Sequence, residues 1–306
     1  MGNDTIRKPV GEPHPLPPRT IYPDCRYINH SFWYRLIVTG KEETTEIRYK
    51  MAVRFIKPLT ETTALISIER MPDDVYINDR HPDLPVDMLA YETGQIFYPL
   101  LAEVSAQMKW LGIRNREQIV RRWEKKLPNL RQCYTGEEAG RYLDRMSKKI
   151  ASQTSFDRIF TEDLFIRVYF RGLYADEPSP SGSGVSAAFP VGDYGIVRYE
   201  VKRLINRTDD GKKEVIQTGT EIRTQTEADS GQDPPGTYTS KYVLDAETNC
   251  IREMEAEWCW ESSVKKKIRV ILFPLRQSVS TVSSADNEIF DEKEKKKGFF
   301  SRLFGE

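Results

Sequence analysis

The sequence lacks the signatures that mark common enzyme sites. No nucleophile elbow, phosphate-binding loop, dinucleotide fingerprint or paired zinc spacing occurs in its 306 residues. An enzyme therefore ranks third among the functional readings, and no cofactor or metal is implied. Histidine is scarce, with three in the chain, which leaves little material for a histidine general acid or base. Four cysteines, Cys25, Cys133, Cys250 and Cys259, are scattered without a Cys-x-x-Cys pair. That spacing argues against a disulfide framework or a structural zinc site, and reduced thiols are expected. Apolar runs such as VILFPL at 270–275 are too short to span a bilayer. Residues 1–20 lack the apolar centre of a secretory signal, and Ile6 stands where a myristoylation signal needs serine or threonine. A cytoplasmic protein is expected, peripheral at a membrane at most. Net charge is missing as well, since Lys plus Arg and Asp plus Glu both number 46.

The zero balance conceals an uneven distribution. Between Lys109 and Lys149 twelve bases stand against five acids, a local charge of +7. Hydrophobic residues at 39% and charged residues at 30% fit a globular chain with solvated segments. Six prolines within residues 1–31 describe an extended N-terminal arm. Strand patterns follow in a first meander, 32–98. FWYRLIVTG (32–40) and IRYKMAVRF (47–55) flank a polar connection, TALISIER (63–70) alternates, and LAYETGQIFYP (89–99) reads as a hairpin turning at Thr93-Gly94.

Residues 99–163 read as a basic helical insert. Ile119, Val120, Trp123 and Leu127 recur at helical spacing, and Thr135 with Glu138 marks a second helix start. A second meander, 164–275, opens with LFIRVYFRGLY (164–174) as a strand, and ADEPSPSGSG (175–184) is a connection. GIVRYEVKRLI (195–205) and KEVIQTGTEIRTQT (213–226) form a hairpin through Asp209-Asp210-Gly211. In the last hairpin a Ser262-Ser263 turn pairs Ala256 with Ile268 and Met254 with Val270. The other face then sets Glu257 by Lys267 and Glu255 by Arg269. The octets LAYETGQI (89–96) and LDAETNCI (244–251) share four residues in register, which points to a duplicated meander. The expected fold class is α+β, built from antiparallel meanders with a helical insert.

The Leu-Asp-x-x-Thr pattern inside long antiparallel strands makes residues 194–275 similar to bacterial half-barrel envelope proteins of the lipoprotein-carrier type. That resemblance implies a curved sheet holding an apolar ligand, the second functional reading.

Three segments carry candidate sites. The loop 71–88 gathers Asp73, Asp74, Asp79, Asp83, Asp87 and His81, but without calcium-loop spacing, so a solvated loop is the expectation. Arg116, Arg121, Arg122, Lys125 and Lys126 surround the apolar stripe of the first insert helix. They form either a surface for an anionic partner or, by preference, a solvated helix face. Nucleic acid is disfavoured as the partner. The flexible tail 276–306 ends in EKEKKKGFFSRLFGE, where Phe299, Phe300, Leu303 and Phe304 gather on one side of a short helix. Lys295, Lys296, Lys297 and Arg302 lie beside them. A helix this short forms only against a surface. The first functional reading is therefore a non-enzymatic scaffold, docking through this tail on a partner protein or an anionic membrane.

Overall fold

The computed structural model describes residues 23–170, 173, 185–191, 195–208, 211–223, 234–261 and 265–275. All strands among them join one antiparallel sheet of eleven. The first five are β1 (Asn29–Thr39), β2 (Thr44–Pro58), β3 (Thr63–Ile77), β4 (Leu100–Ser105) and β5 (Trp110–Ile113). The other six are β6 (Val185–Pro190), β7 (Ile196–Arg207), β8 (Lys213–Glu221), β9 (Thr237–Leu244), β10 (Ile251–Glu261) and β11 (Lys265–Pro274). The sheet order is β5-β4-β3-β2-β1-β11-β10-β9-β8-β7-β6. Each meander is thus a run of neighbours, and β1 paired with β11 joins the two, from Phe32 opposite Pro274 to Thr39 opposite Lys267. The described helices are α1 (Pro85–Gln95), α2 (Arg116–Cys133), α3 (Glu137–Ala151), α4 (Gln153–Thr161) and α5 (Leu164–Phe170). The α+β class and its meanders stand as expected.

Alternation explains the strands. On β1, Phe32, Tyr34 and Leu36 are buried while Trp33, Arg35 and Ile37 are only half-buried. The inward set packs with helix residues such as Ile119, Trp123, Leu143, Phe156 and Phe160 in one core, each full burial contributing about 1.5–3 kcal/mol. α5 sits under the seam: Phe165 meets Tyr34 edge-on at 6.1 Å and Tyr169 meets Phe32 at 6.1 Å. From the other meander, the Tyr242 hydroxyl donates to Val168 O at 3.1 Å.

The second meander rolls. Phe189 on β6 lies 4.6 Å from the ring of Tyr238 on β9 and 5.1 Å from Trp258 on β10. In a flat sheet β6 and β10, four strand spacings apart, would be separated by about 19 Å. Twist and coiling close that gap. The rings of Phe189, Tyr199, Tyr238 and Trp258, all at most 1% exposed, occupy the inside of the roll.

Two segments depart from their expected form. Residues 89–99 are not a hairpin: Pro85 at the first turn starts α1, and Leu89, Ala90 and Thr93 bury one helical face. Residues 164–170 are helix α5 rather than a strand. Phe165–Phe170 are buried on every side, so the apolar period that separates helix from strand is erased. The Asp163 carboxylate accepts the Ile166 N–H at 2.9 Å and caps that helix. The octets at 89–96 and 244–251 accordingly adopt different structures, helix in one and a strand-ending turn in the other. Strands β4 and β5 fall inside 99–163, so the helices of that stretch begin at Arg116.

The last hairpin keeps its face assignment but shifts by two residues. Ala256 opposes Val270 and Met254 opposes Leu272, because Glu261 pairs with Lys265 around a three-residue connection. The anticipated ion pairs form diagonally instead, Lys267 to Glu257 at 3.0 Å and Arg269 to Glu255 at 2.6 Å. Similar pairs cover neighbouring strands, including Lys50–Asp74 at 3.0 Å and Arg48–Asp79 at 3.2 Å. The stretch 71–88 is therefore not one solvated loop: its first residues belong to β3 and its last to α1, Asp87 is buried, Asp74 and Asp79 are held by sheet bases, and His81 lies tilted beside Tyr76 at 4.5 Å. Among the described residues, no group of three or more His, Cys, Asp or Glu is arranged to hold a metal. Cys25, Cys133, Cys250 and Cys259 are all free. No described helix is long and apolar enough to cross a membrane.

The β9–β10 turn supplies a pH prediction. Arg252 donates to the Asp245 carboxylate at 2.7 Å, and the Thr248 N–H at 3.0 Å and hydroxyl at 2.9 Å donate to it as well. The Arg252 bond first, then the backbone bond, holds this carboxyl well below the usual range. The stabilisation is present above the unfolded value near pH 4 and is lost as pH falls below it. Asp245→Asn should lower stability by about 1–3 kcal/mol at pH 7. The deficit should shrink steadily below pH 4 in urea melts; a pH-independent deficit would refute the charge-based account.

Candidate functional site

The inward face of β1–β3 carries a cluster that breaks the apolar rule. Ile66 and Ile68 are buried on β3, and in the same phase comes Arg70. A bulge follows: Arg70 pairs with Met51 while Val75 already pairs with Tyr49, so residues 71–74 loop out. Tyr49 on β2 lies opposite Tyr34 on β1, and the two rings stack at 4.7 Å.

The Arg70 guanidinium sits among three tyrosine rings, 5.5 Å from Tyr49, 5.8 Å from Tyr91 on α1 and 5.3 Å from Tyr98 beyond it. Gly94 makes the space. A Cβ there would stand 2.8 Å from Arg70 Nη2, so this helical glycine, although less favourable than alanine by about 1 kcal/mol, admits the guanidinium against α1. Arg70 Nη2 donates to Tyr91 O at 3.3 Å, while Nε is buried and has no hydrogen-bond partner. Among the described residues, no carboxylate forms an ion pair with Arg70.

The phenols of the chain differ in how their hydroxyls are engaged. Tyr134, Tyr142, Tyr238 and Tyr242 each hydrogen-bond through the hydroxyl. Among the described residues, none bonds the hydroxyl of Tyr34, Tyr49 or Tyr98. Burial raises all three phenol pKa values, that of Tyr98 to about 12. All three are therefore O–H donors at neutral pH. Asp163, in the turn between α4 and α5, is close enough to couple electrostatically to Arg70 and all three tyrosines. Burial raises its pKa; hydrogen bonds from the Ile166 and Phe165 N–H groups, and then Arg70, oppose the rise. The site thus presents one guanidinium and three hydroxyl donors, with a carboxyl beside them. Such a set of donors is chemically suited to an anion.

None of these residues stood out in the sequence as a site. The signal that could have found it is Arg70, a cation in the inward phase set by Ile66 and Ile68.

The basic residues of α2 are largely engaged elsewhere. Arg116 donates to Ile150 O at 3.0 Å and Ala151 O at 2.8 Å, and lies over Phe156 at 5.2 Å. Lys126 pairs with Glu92 at 2.7 Å. Arg122 donates to Tyr98 O and Pro99 O, and Asn115 donates to Pro99 O at 2.8 Å, so α2 anchors the segment that places Tyr98. Arg121 reaches Glu117 at 3.5 Å on the surface, and Lys125 is exposed. The tail residues Lys295, Lys296, Lys297, Phe299, Phe300, Arg302, Leu303 and Phe304 lie outside the described residues.

No protein-family description matches this chain, and no curated protein matches it. Among solved structures the chain has a distant likeness to lipovitellin, described for its lipid–protein interactions. The identity is 11% and the TM-score 0.38, covering 84% of this chain and 26% of that one. The chain thus spans about a quarter of lipovitellin, and a likeness at this level carries no argument about function.

Proposed function

We propose that the protein is a non-enzymatic binding protein for a small organic anion, a carboxylate or phosphate whose apolar body lies against the tyrosine rings. One observation carries this reading: Arg70 is caged by aromatic rings and, among the described residues, has no carboxylate in direct contact. Arg70 is half-buried, and Asp163 couples to it only at a distance, so an anion in direct contact would add charge-assisted bonds it now lacks. The ligand would take its charge-assisted bonds from Arg70, and the hydroxyls of Tyr34, Tyr49 and Tyr98 would close around it. Of the functions read from the sequence, this one refines the carrier.

The test pairs native mass spectrometry of the purified protein with melting curves in benzoate and in inorganic phosphate. A co-purified acid, or stabilisation of about 2.7 kcal/mol at a hundredfold excess over Kd, is the expected result. The triple variant Tyr34→Phe, Tyr49→Phe, Tyr98→Phe should lose that response. A benzoate response without a phosphate response would assign a carboxylate ligand, and the converse a phosphate. Apo mass alone, with melting unchanged by either anion, would overturn the proposal.

A further inference from the structure

A second feature lies at the β5 edge of the sheet. Among the described strands β5 pairs only with β4, and beyond it opens a cleft of about 390 Å³ between β5 and α4. Leu111, Gly112, Ile113 and Arg114 form one wall, and Gln153, Asp157 and Thr161 the other. The Arg114 N–H donates to Leu101 O at 2.8 Å. By antiparallel alternation the N–H and C=O of Ile113 therefore face away from β4, towards the cleft. Neither has a hydrogen-bond partner among the described residues. The edge strand is short and bulged at Leu111, but Trp110, Leu111, Gly112 and Ile113 include no charge and no proline, and Leu111 is 49% exposed.

The charge of the cleft selects the occupant. Glu103 is neutralised by Arg114. Asp157 accepts only the neutral Gln153 amide, at 3.0 Å to each oxygen, and among the described residues no base meets it. An incoming strand should therefore carry a base. Residues 1–22, outside the described residues, contain such a segment in Asp4-Thr5-Ile6-Arg7-Lys8, the stretch before the first proline. The described chain starts near this edge too, because Cys25 Sγ lies 3.8 Å from Ala106 O, in the turn joining β4 to β5. The fifteen residue-to-residue steps from Lys8 to Pro23 span up to about 46 Å when extended, ample for a four-residue strand.

We infer that residues 4–8 of this chain dock along β5 as an added strand, with Arg7 against Asp157. The full-length protein tests it through hydrogen exchange at the Ile113 amide. In the unaltered chain that amide should exchange slowly, and Ile6→Pro should speed it about tenfold or more by removing a ladder bond. Arg7→Asp and Asp157→Arg should each do the same, and combining them should restore slow exchange. The inference is overturned if Ile113 exchanges fast in the unaltered chain, or if the single variants leave its exchange unchanged. It is equally overturned if the charge swap fails to restore protection, or if Phe300→Asp in the tail, rather than the arm variants, releases it.

Discussion

Replacing Trp258 with alanine should destabilise the protein by about 3–5 kcal/mol, the largest loss expected from a single side chain here. The indole is fully buried on β10, stacked at 5.5 Å on Tyr238, with Phe189 edge-on at 5.1 Å. Phe189 arrives from β6, so the cavity would open where the roll closes upon itself and neighbouring backbone has little freedom to fill it. The urea midpoint should fall while the slope holds. Trp258→Phe should be far milder than its lost volume implies. The indole Nε1 is buried without a partner, and removing an unsatisfied donor returns part of its desolvation penalty. Trp33→Ala, on the opposite face of β1, serves as the comparison. An alanine effect at Trp258 below 1 kcal/mol would refute the closed roll.

Arg70→Met should weaken anion binding roughly 10- to 150-fold, the equivalent of a charged hydrogen bond of about 1.5–3 kcal/mol. Its effect on the ligand-free protein should have the opposite sign. Exchanging a half-buried cation that makes no direct ion pair among the described residues for an apolar side chain of similar length is expected to leave stability unchanged or raise it. Arg70→Lys should not restore binding, since an ammonium neither stacks on Tyr98 nor presents a planar fork. Calorimetry with the ligand, set beside urea melts without it, reads both effects. If Arg70→Met cost more than about 2 kcal/mol in the empty protein, Arg70 would be a structural strut and the anion site would fall.

Several strands were legible because they alternate between core and solvent. β1, β2, β7 and β8 emerge near their expected bounds, and the turn at Gly211 takes the positive φ of 82° that glycine allows. The last hairpin had the right faces and the wrong register, since alternation is blind to a shift of two. α5 was unreadable, as burial all round removes the contrast on which periodicity depends. α1 misled for another reason: Tyr91, Thr93 and Gly94 favour strands and turns, and packing on the sheet overrode them. The Arg70 cluster draws on β1, β2, β3, α1 and the turn after α4, and no local motif can register such a convergence. Only the phase of Arg70 on β3 was available in advance.

The seam between β1 and β11 places the two ends of the described chain at the centre of the sheet. A growing polypeptide therefore holds β1 as an open template, with its core-facing side chains in place, until β11 leaves the ribosome. The contact that unites both halves is also the one with the longest loop to close, so assembly should be slow and should finish at this joint. Shortening β11 would unzip the middle of the protein rather than fray its border.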